Sequence, residues 1–250
     1  MKKIKLIFFS FFGVLSTHGQ DSAVYKLNKY YRIINNTDFD YRRVIKKLND
    51  TTWEQFDYTR LRNPHQRTLF KDKDLKIRNG LYTRFNNGPQ VIIKGNYKNN
   101  KPEGVWYFYS PKKIDSLNYN FYSDLRSNYV ERMGNADSII FNTETDKAAV
   151  FPGGEKAWKR YLNKSFEAVF GPIYPEKEIQ ISFMIDKDGK VINVYPVKSI
   201  DPQIDLEVVQ IIRESPKWIS AEHKGRKIIS IITQSVNFDK MNNGSLNNIF

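Results

Sequence analysis

The segment that most constrains the fold is residues 178–197, with the sequence EIQISFMIDKDGKVINVYPV. In its first half, isoleucine and phenylalanine alternate with Glu178, Gln180 and Ser182, a period of two that is typical of a β-strand with one buried face. A polar cluster from Asp186 to Gly189 follows and favours a tight turn, because Asp forms local turn hydrogen bonds and Gly accepts a positive φ. A second apolar strand then begins, so the segment predicts a β-hairpin.

Helical signals flank this hairpin. After it, Asp201 and Pro202 are typical of an N-cap and a first helical position, and the helix is expected to stop at Pro216. One stripe of this helix is apolar: Ile204, Val208, Ile211 and Ile212. Before the hairpin, the sequence from Phe151 onward predicts a helix with one large apolar side: Trp158, Tyr161, Leu162 and Phe166.

A last apolar run, IISIITQSVNF at residues 228–238, predicts a closing strand. The expected order is therefore α-β-β-α-β, with a three-stranded antiparallel sheet, and the predicted fold class is α+β. One face of the closing strand is expected to pack against the helices: Ile228, Ile232, Val236 and Phe238.

Several motifs in residues 151–239 occur in the order of a known family. They are FPGGEKAWKRYL, the Tyr174-Pro175 pair, SFMIDKDGKVINV, IDPQIDLEVVQIIRESPKW and the closing strand. In this order they resemble the C-terminal domain of TonB-type energy transducers. The resemblance implies a function in the bacterial envelope, in which the domain captures a short segment of an outer-membrane transporter by adding a strand to its sheet.

The resemblance implies that the closing strand receives the partner. A three-stranded sheet has two free edges, and an exposed edge with apolar side chains invites strand addition. The expected partner-binding residues are Ile229, Ser230, Ile231, Thr233 and Ser235. Two alternatives stay open. Residues 242–250 or the N-terminal domain fold back over this edge, or the strand pairs with a second copy of the chain in a homodimer.

The N-terminus carries a predicted signal peptide at residues 1–20. Lys2, Lys3 and Lys5 precede an apolar run of about ten residues, which is too short for a membrane span, and small residues before Gln20 offer a cleavage site. We expect a periplasmic or secreted protein without an integral membrane span after cleavage.

An internal repeat follows in the N-terminal half. Gly80-Leu-Tyr82 recurs as Gly104-Val-Trp106, 24 residues later, with turn residues between aromatic strands. Residues 77–124 resemble bacterial MORN-type repeats, which implies an aromatic β-meander used for interaction. The predicted domains are a β-rich MORN-like unit at 21–127, a linker at 128–149, the TonB C-terminal-like domain at 150–240 and a tail at 241–250. The repeat aromatics, with Phe108 and Tyr109, are expected to serve mainly as packing.

Charge and composition narrow the function classes. The net charge is +13 and there are no cysteines, so disulfides and thiolate sites are excluded. Basic residues are spread along the chain, so nucleic acid is not an expected partner. His65 is expected to be a solvated loop residue, and Asp201, Asp205 and Glu207 are explained by helix capping and the helix dipole.

Neither a catalytic constellation, a metal site nor a cofactor site is predicted. The predicted function is binding of an envelope protein. The alternative is a structural envelope protein that binds cell-wall or surface polymers through a basic, aromatic surface.

Overall fold

The computed structural model describes residues 22–120, 145–170 and 178–238. The first range forms one antiparallel sheet of nine strands in the order β2-β1-β3-β4-β5-β6-β7-β8-β9. The strands are β1 (Ser22–Leu27), β2 (Ile33–Ile34), β3 (Tyr41–Asn49), β4 (Thr52–Thr59), β5 (Pro64–Phe70), β6 (Arg78–Phe85), β7 (Val91–Lys98), β8 (Lys101–Tyr109) and β9 (Ile114–Asn118).

Turn chemistry explains the tight connections of this sheet. Asn99 and Asn100 join β7 to β8 with φ values of 50° and 70°, the pair of positive values that a two-residue hairpin requires. Gly80 and Gly104, the equivalent glycines of the repeat, have φ values of 106° and 66°. The repeat in the sequence therefore corresponds to a repeated backbone conformation in β6 and β8.

Three of the four aromatics expected to pack, Tyr82, Trp106 and Phe108, lie on one face of this sheet, whereas Tyr109 is half-buried beside Tyr107 outside that cluster. Trp106 and Phe108 are buried, and Tyr82 packs against the same cluster. The ring of Trp106 lies directly over Gly95, where a Cβ atom would come within 2.0 Å of the indole. Its Nε1 donates to the carbonyl of Asn96 at 3.1 Å, so the buried indole is also satisfied as a donor.

The second half builds a three-stranded sheet in the order β11-β10-β14, a two-stranded sheet of β12 and β13, and two helices. Their bounds are α1 (Gly154–Phe170), β10 (Glu178–Ile185), β11 (Val191–Lys198), α2 (Pro202–Arg213), β12 (Ala221–His223), β13 (Arg226–Ile228) and β14 (Ser230–Asn237). The predicted closing strand is thus interrupted at Ile229, because Ile228 pairs with Ala221 in the small hairpin.

Local signals account for the ends of these elements. The Asp201 side chain accepts from the Gln203 amide at 3.0 Å and caps α2, and Pro202 opens the helix. In the hairpin of β10 and β11, Gly189 has a φ of 78°, and a Cβ there would lie 1.9 Å from the Trp218 carbonyl oxygen. Both turn and cap follow the sequence prediction.

Helix α2 connects the two halves. Gln210 on α2 donates to Asp115 of β9 at 3.3 Å, and Tyr119, directly after β9, donates to Asp205 at 2.7 Å. One hydrophobic cluster includes Trp106 and Leu117 from the large sheet together with residues of both helices and of the three-stranded sheet. The two halves therefore share a core.

The predicted α+β class is wrong. The described residues are mostly β-structure, with a nine-stranded sheet, a three-stranded sheet and two helices. The prediction took its class from the C-terminal segment, whereas residues 22–70 alone contribute five strands to the large sheet. The predicted β-rich unit at 21–127 carried no strand number, so the weight of this sheet in the whole fold did not enter the predicted class.

Some predicted segments lie outside the described residues. These are the signal peptide at 1–20, the Tyr174-Pro175 pair, the tail at 241–250 and most of the linker at 128–149. The described end of that linker, residues 145–149, contacts the second half. Lys147 forms a β-bridge with Glu222, and their side chains form an ion pair at 2.7 Å.

Candidate functional site

Strand β14 is one of the two outer strands of the three-stranded sheet, and β11 is the other. It pairs with β10 through eight consecutive cross-strand pairs, from Glu178 with Asn237 to Ile185 with Ser230, without a register shift. The strand is therefore straight over roughly 27 Å, at about 3.4 Å per residue. Within the described ranges no second strand pairs with it. A long regular edge of this kind is a template for a further strand.

The main-chain groups of β14 alternate between the sheet and the open side. The Ser182 hydroxyl of β10 lies 3.3 Å from the carbonyl oxygen of Ile232, so this carbonyl points toward β10. Successive residues of an antiparallel strand direct their N–H and C=O groups to opposite sides. The main-chain groups of Ile231, Thr233 and Ser235 therefore point away from β10 and form the outer row of the edge.

Gln234 connects this edge to the core. The buried Trp158 of α1 donates to the Gln234 side-chain oxygen at 3.0 Å, and the Gln234 amide nitrogen donates to the Ser235 carbonyl at 2.7 Å. One acceptor at the end of the edge is thus already used by a side chain. A strand that docks on β14 would find its free acceptors at Ile231 and Thr233.

The side chains of β14 divide between two faces. Toward the helices, Val236 is fully buried and Ser230 lies opposite the buried Ile185 with no exposed surface. On the opposite face, Ile231 is half-buried beside Met184 and Thr233 is exposed. This second face offers both an apolar and a polar contact next to the open edge.

The five predicted partner-binding residues therefore separate by position. Ile231, Thr233 and Ser235 all lie on the outer row of the edge. The Ser230 side chain is buried on the helix side, and Ile229 lies between β13 and β14, outside both strands. Period-two alternation alone could have separated Ser230 from the other residues, because it shares a face with Ile232 and Val236.

Cross-strand side-chain contacts stiffen the outer part of the sheet. The Gln180 amide donates to the Ser235 hydroxyl at 3.2 Å, and the hydroxyls of Ser182 and Thr233 lie 3.3 Å apart. Such pairs each add a small stabilisation. The edge is consequently held in an extended conformation before any partner arrives, which lowers the entropic cost of strand addition.

A buried carboxylate at the junction of the two halves was missed by sequence reasoning. Asp205 of α2 has no exposed surface and accepts from the Tyr119 hydroxyl at 2.7 Å, the Ser199 hydroxyl at 2.5 Å and the Ile200 amide at 3.1 Å. Burial raises the pKa of Asp205 to about 6, although the three donors favour its charged form. The dipole explanation given for Asp205 is incomplete, because this carboxylate also ties α2 to the large sheet.

The expectation that His65 is a solvated loop residue is wrong. It lies in β5 with 4% of its surface exposed. Its Nε2 is 2.5 Å from the Tyr31 hydroxyl and its Nδ1 is 2.6 Å from the Asn87 side-chain oxygen. Burial raises the pKa of the Tyr31 hydroxyl, which is the opposite of what a nucleophile requires. The cluster is therefore best explained as a satisfied polar contact between β5 and two loops of the large sheet.

In the described ranges, no group of three or more His, Asp and Glu side chains could hold a metal ion. Neither described helix combines the length and apolar character that a membrane crossing requires.

No protein-family model, curated protein or solved structure matches this chain. The resemblances to the TonB C-terminal domain and to MORN-type repeats therefore stay predictions that rest on the motifs quoted above.

Proposed function

We propose that this chain is an exported binding protein of the bacterial envelope, whose β14 edge docks an extended segment of another envelope protein by strand addition. An outer-membrane transporter or receptor is the partner class that the TonB-like motifs imply. The role is binding without catalysis, and the place of action is the periplasm or the exterior.

The regular outer row of β14 is the observation that carries this proposal. Main-chain groups of Ile231 and Thr233 face away from β10, so an added strand gains hydrogen bonds without displacing any that the described structure shows there. Ile231 and the exposed Thr233 also offer side-chain contacts on the outer face. The main-chain hydrogen bonds would supply affinity for the added strand, and the side-chain contacts would select among partner sequences.

The test is a titration of the full mature chain with synthetic peptides of about eight residues from the N-terminal segments of outer-membrane transporters. The full chain is needed because both halves share one core. Binding is expected to shift the amide resonances of residues 230–236 in NMR spectra. Shifts confined to the large sheet would contradict the proposal.

Thr233→Pro is the decisive variant, with Thr233→Ala as its matched control. Proline removes an outward N–H, and an edge strand tolerates it where that N–H faces solvent. Peptide binding should be lost in Thr233→Pro and kept in Thr233→Ala, while both variants retain the wild-type spectrum elsewhere. Equal binding by the two variants would show that main-chain pairing on β14 is not used.

The alternative, a polymer-binding structural protein, depends on an accessible aromatic surface. Trp106 and Phe108 are buried in the shared core and are not available for such contacts. Tyr107 on the other face of β8 is 42% exposed. Strand addition at β14 therefore has the stronger structural support.

A further inference from the structure

A cleft of about 320 Å³ lies at the junction of the large sheet with β11 and α2. Its walls come from the β7–β8 turn, from the end of β11 and from the first turn of α2. Tyr97 and Tyr119 contribute aromatic rings, and Pro102, Pro196 and Pro202 contribute rigid apolar surface. The cleft and the β14 edge lie on opposite sides of β10, with Lys198 at the cleft rim and Ser235 on the edge both paired to Gln180.

Cations dominate the polar part of this cleft. Arg78, Lys101 and Lys198 line it, and no acidic residue is among the described residues of its wall. Arg78 is held over the Tyr97 ring at 4.2 Å, so its position depends on stacking on an aromatic face. An arginine placed in this way keeps its donors for a planar or tetrahedral oxyanion.

The turn that carries Lys101 is ordered by Asn100. The Asn100 side-chain oxygen accepts from the Arg78 amide at 2.8 Å, and its nitrogen donates to the Lys76 carbonyl at 3.0 Å. These two bonds fix the turn against the start of β6. Arg78 and Lys101 are thereby presented from a rigid part of the large sheet.

Two carboxylates that adjoin lining residues of the cleft already accept hydrogen bonds from the protein. Asp201 accepts from the Gln203 amide as the cap of α2, and Asp205 accepts three hydrogen bonds. Lys198 forms an ion pair with Glu178 at 2.5 Å, and both side chains are partly exposed, at 58% and 38%. Exposed pairs of this kind contribute little, so Lys198 can turn toward an anion in the cleft.

We infer that this cleft binds a small ligand that carries an oxyanion, a phosphate or a carboxylate, on a ring. The oxyanion lies against Arg78 and Lys101, with Lys198 at the rim. The ring lies between Tyr119 and the proline wall, because Tyr97 is only 4% exposed and Arg78 covers one face of its ring. A cleft of this volume accommodates a ligand of low molecular mass.

The test uses phenyl phosphate, benzoate and the neutral benzyl alcohol as probes of the full mature chain. Phenyl phosphate or benzoate should shift the amide resonances of Arg78, Asn100 and Ser199. The probe that binds more tightly shows whether the cleft prefers a phosphate or a carboxylate. Benzyl alcohol should bind at least tenfold more weakly. Binding of all three probes with equal affinity would overturn the proposal, because the cations would then have no role.

Arg78→Gln and Lys101→Gln are each expected to lower the affinity of the chain for the oxyanion probe by about tenfold. Lys112→Gln is the matched control, because Lys112 is an exposed lysine beyond the opposite end of β8 and does not line the cleft. If Lys112→Gln weakens binding as much as Lys101→Gln, the probe is attracted only by general positive charge and the proposal fails. Lys101 is exposed, so its replacement does not endanger folding.

The two proposals can fail separately. Thr233→Pro should bind phenyl phosphate like the wild type, and Arg78→Gln should still bind transporter peptides. Loss of oxyanion binding in Thr233→Pro, with an otherwise unchanged spectrum, would show that the cleft is not an independent site.

Discussion

Replacing Asp205 with Asn is expected to remove a specific part of the pH dependence of stability. Asp205 has no exposed surface, and burial raises its pKa from 3.8 to about 6. A shift of about two units corresponds to about 3 kcal/mol, because each unit is worth about 1.4 kcal/mol. The folded state binds this proton more tightly than the unfolded chain does. Stability from this group is therefore highest below about pH 4 and falls as the pH rises to about 6.

The assay is urea unfolding of wild type and Asp205→Asn between about pH 4 and pH 7, followed by tryptophan fluorescence. The other carboxylates are common to both proteins, so the difference in free energy of unfolding isolates Asp205. Relative to the variant, the wild type should lose about 3 kcal/mol across this range. Asp188→Asn, which removes an exposed carboxylate of the β10–β11 turn, is the control and should show no such change.

Tyr119→Phe gives an independent check of the same contact. The variant removes the hydroxyl that donates to Asp205 at 2.7 Å. A hydrogen bond to a charged group is worth about 2 kcal/mol and one to a neutral group about 1 kcal/mol, so the variant should be more destabilising at pH 7 than at pH 4. A difference curve for Asp205→Asn that is flat with pH would refute the assignment of a buried, proton-binding carboxylate.

Two further predictions concern glycines at close contacts. Gly95→Ala should lower the free energy of unfolding by at least about 2 kcal/mol, because a Cβ would lie 2.0 Å from the Trp106 ring. Gly189→Ala should cost about 3 kcal/mol, since it combines a φ of 78° with a Cβ 1.9 Å from the Trp218 carbonyl oxygen. Gly104→Ala is the control for both, because its φ is 66° but nothing lies within 4 Å, so only about 1 kcal/mol of backbone strain is expected. Urea unfolding measures all three, and equal costs at Gly95 and Gly104 would contradict the packing described for Trp106.

Local signals in the sequence predicted the local structure well. The Asp186 to Gly189 turn, the Asp201 cap and the repeat glycines all act within a few residues, and each is found where its chemistry indicates. The alternation in β14 likewise placed Val236 on the buried face. Turns, caps and buried faces depend on neighbouring residues, which a single sequence displays directly.

Contacts between distant residues were not predictable in the same way. The bond from Tyr119 to Asp205 joins residues 86 positions apart, and no local pattern distinguishes Asp205 from an ordinary first-turn aspartate. His65 of β5 contacts Tyr31 and Asn87, which come from two different loops. The fold class was wrong for the same reason, because the extent of the large sheet depends on pairing between strands.

Amide hydrogen exchange along β14 in the free, full mature chain shows directly whether the outer row of this strand is open. We expect alternation: the amides of Ile231, Thr233 and Ser235 exchange fast, and those of Ile232 and Gln234 exchange slowly because they face β10. Uniform protection from residue 230 to residue 236 would show that the outer row is already covered, by another part of the chain or by a second copy. In that case β14 could not receive a partner strand.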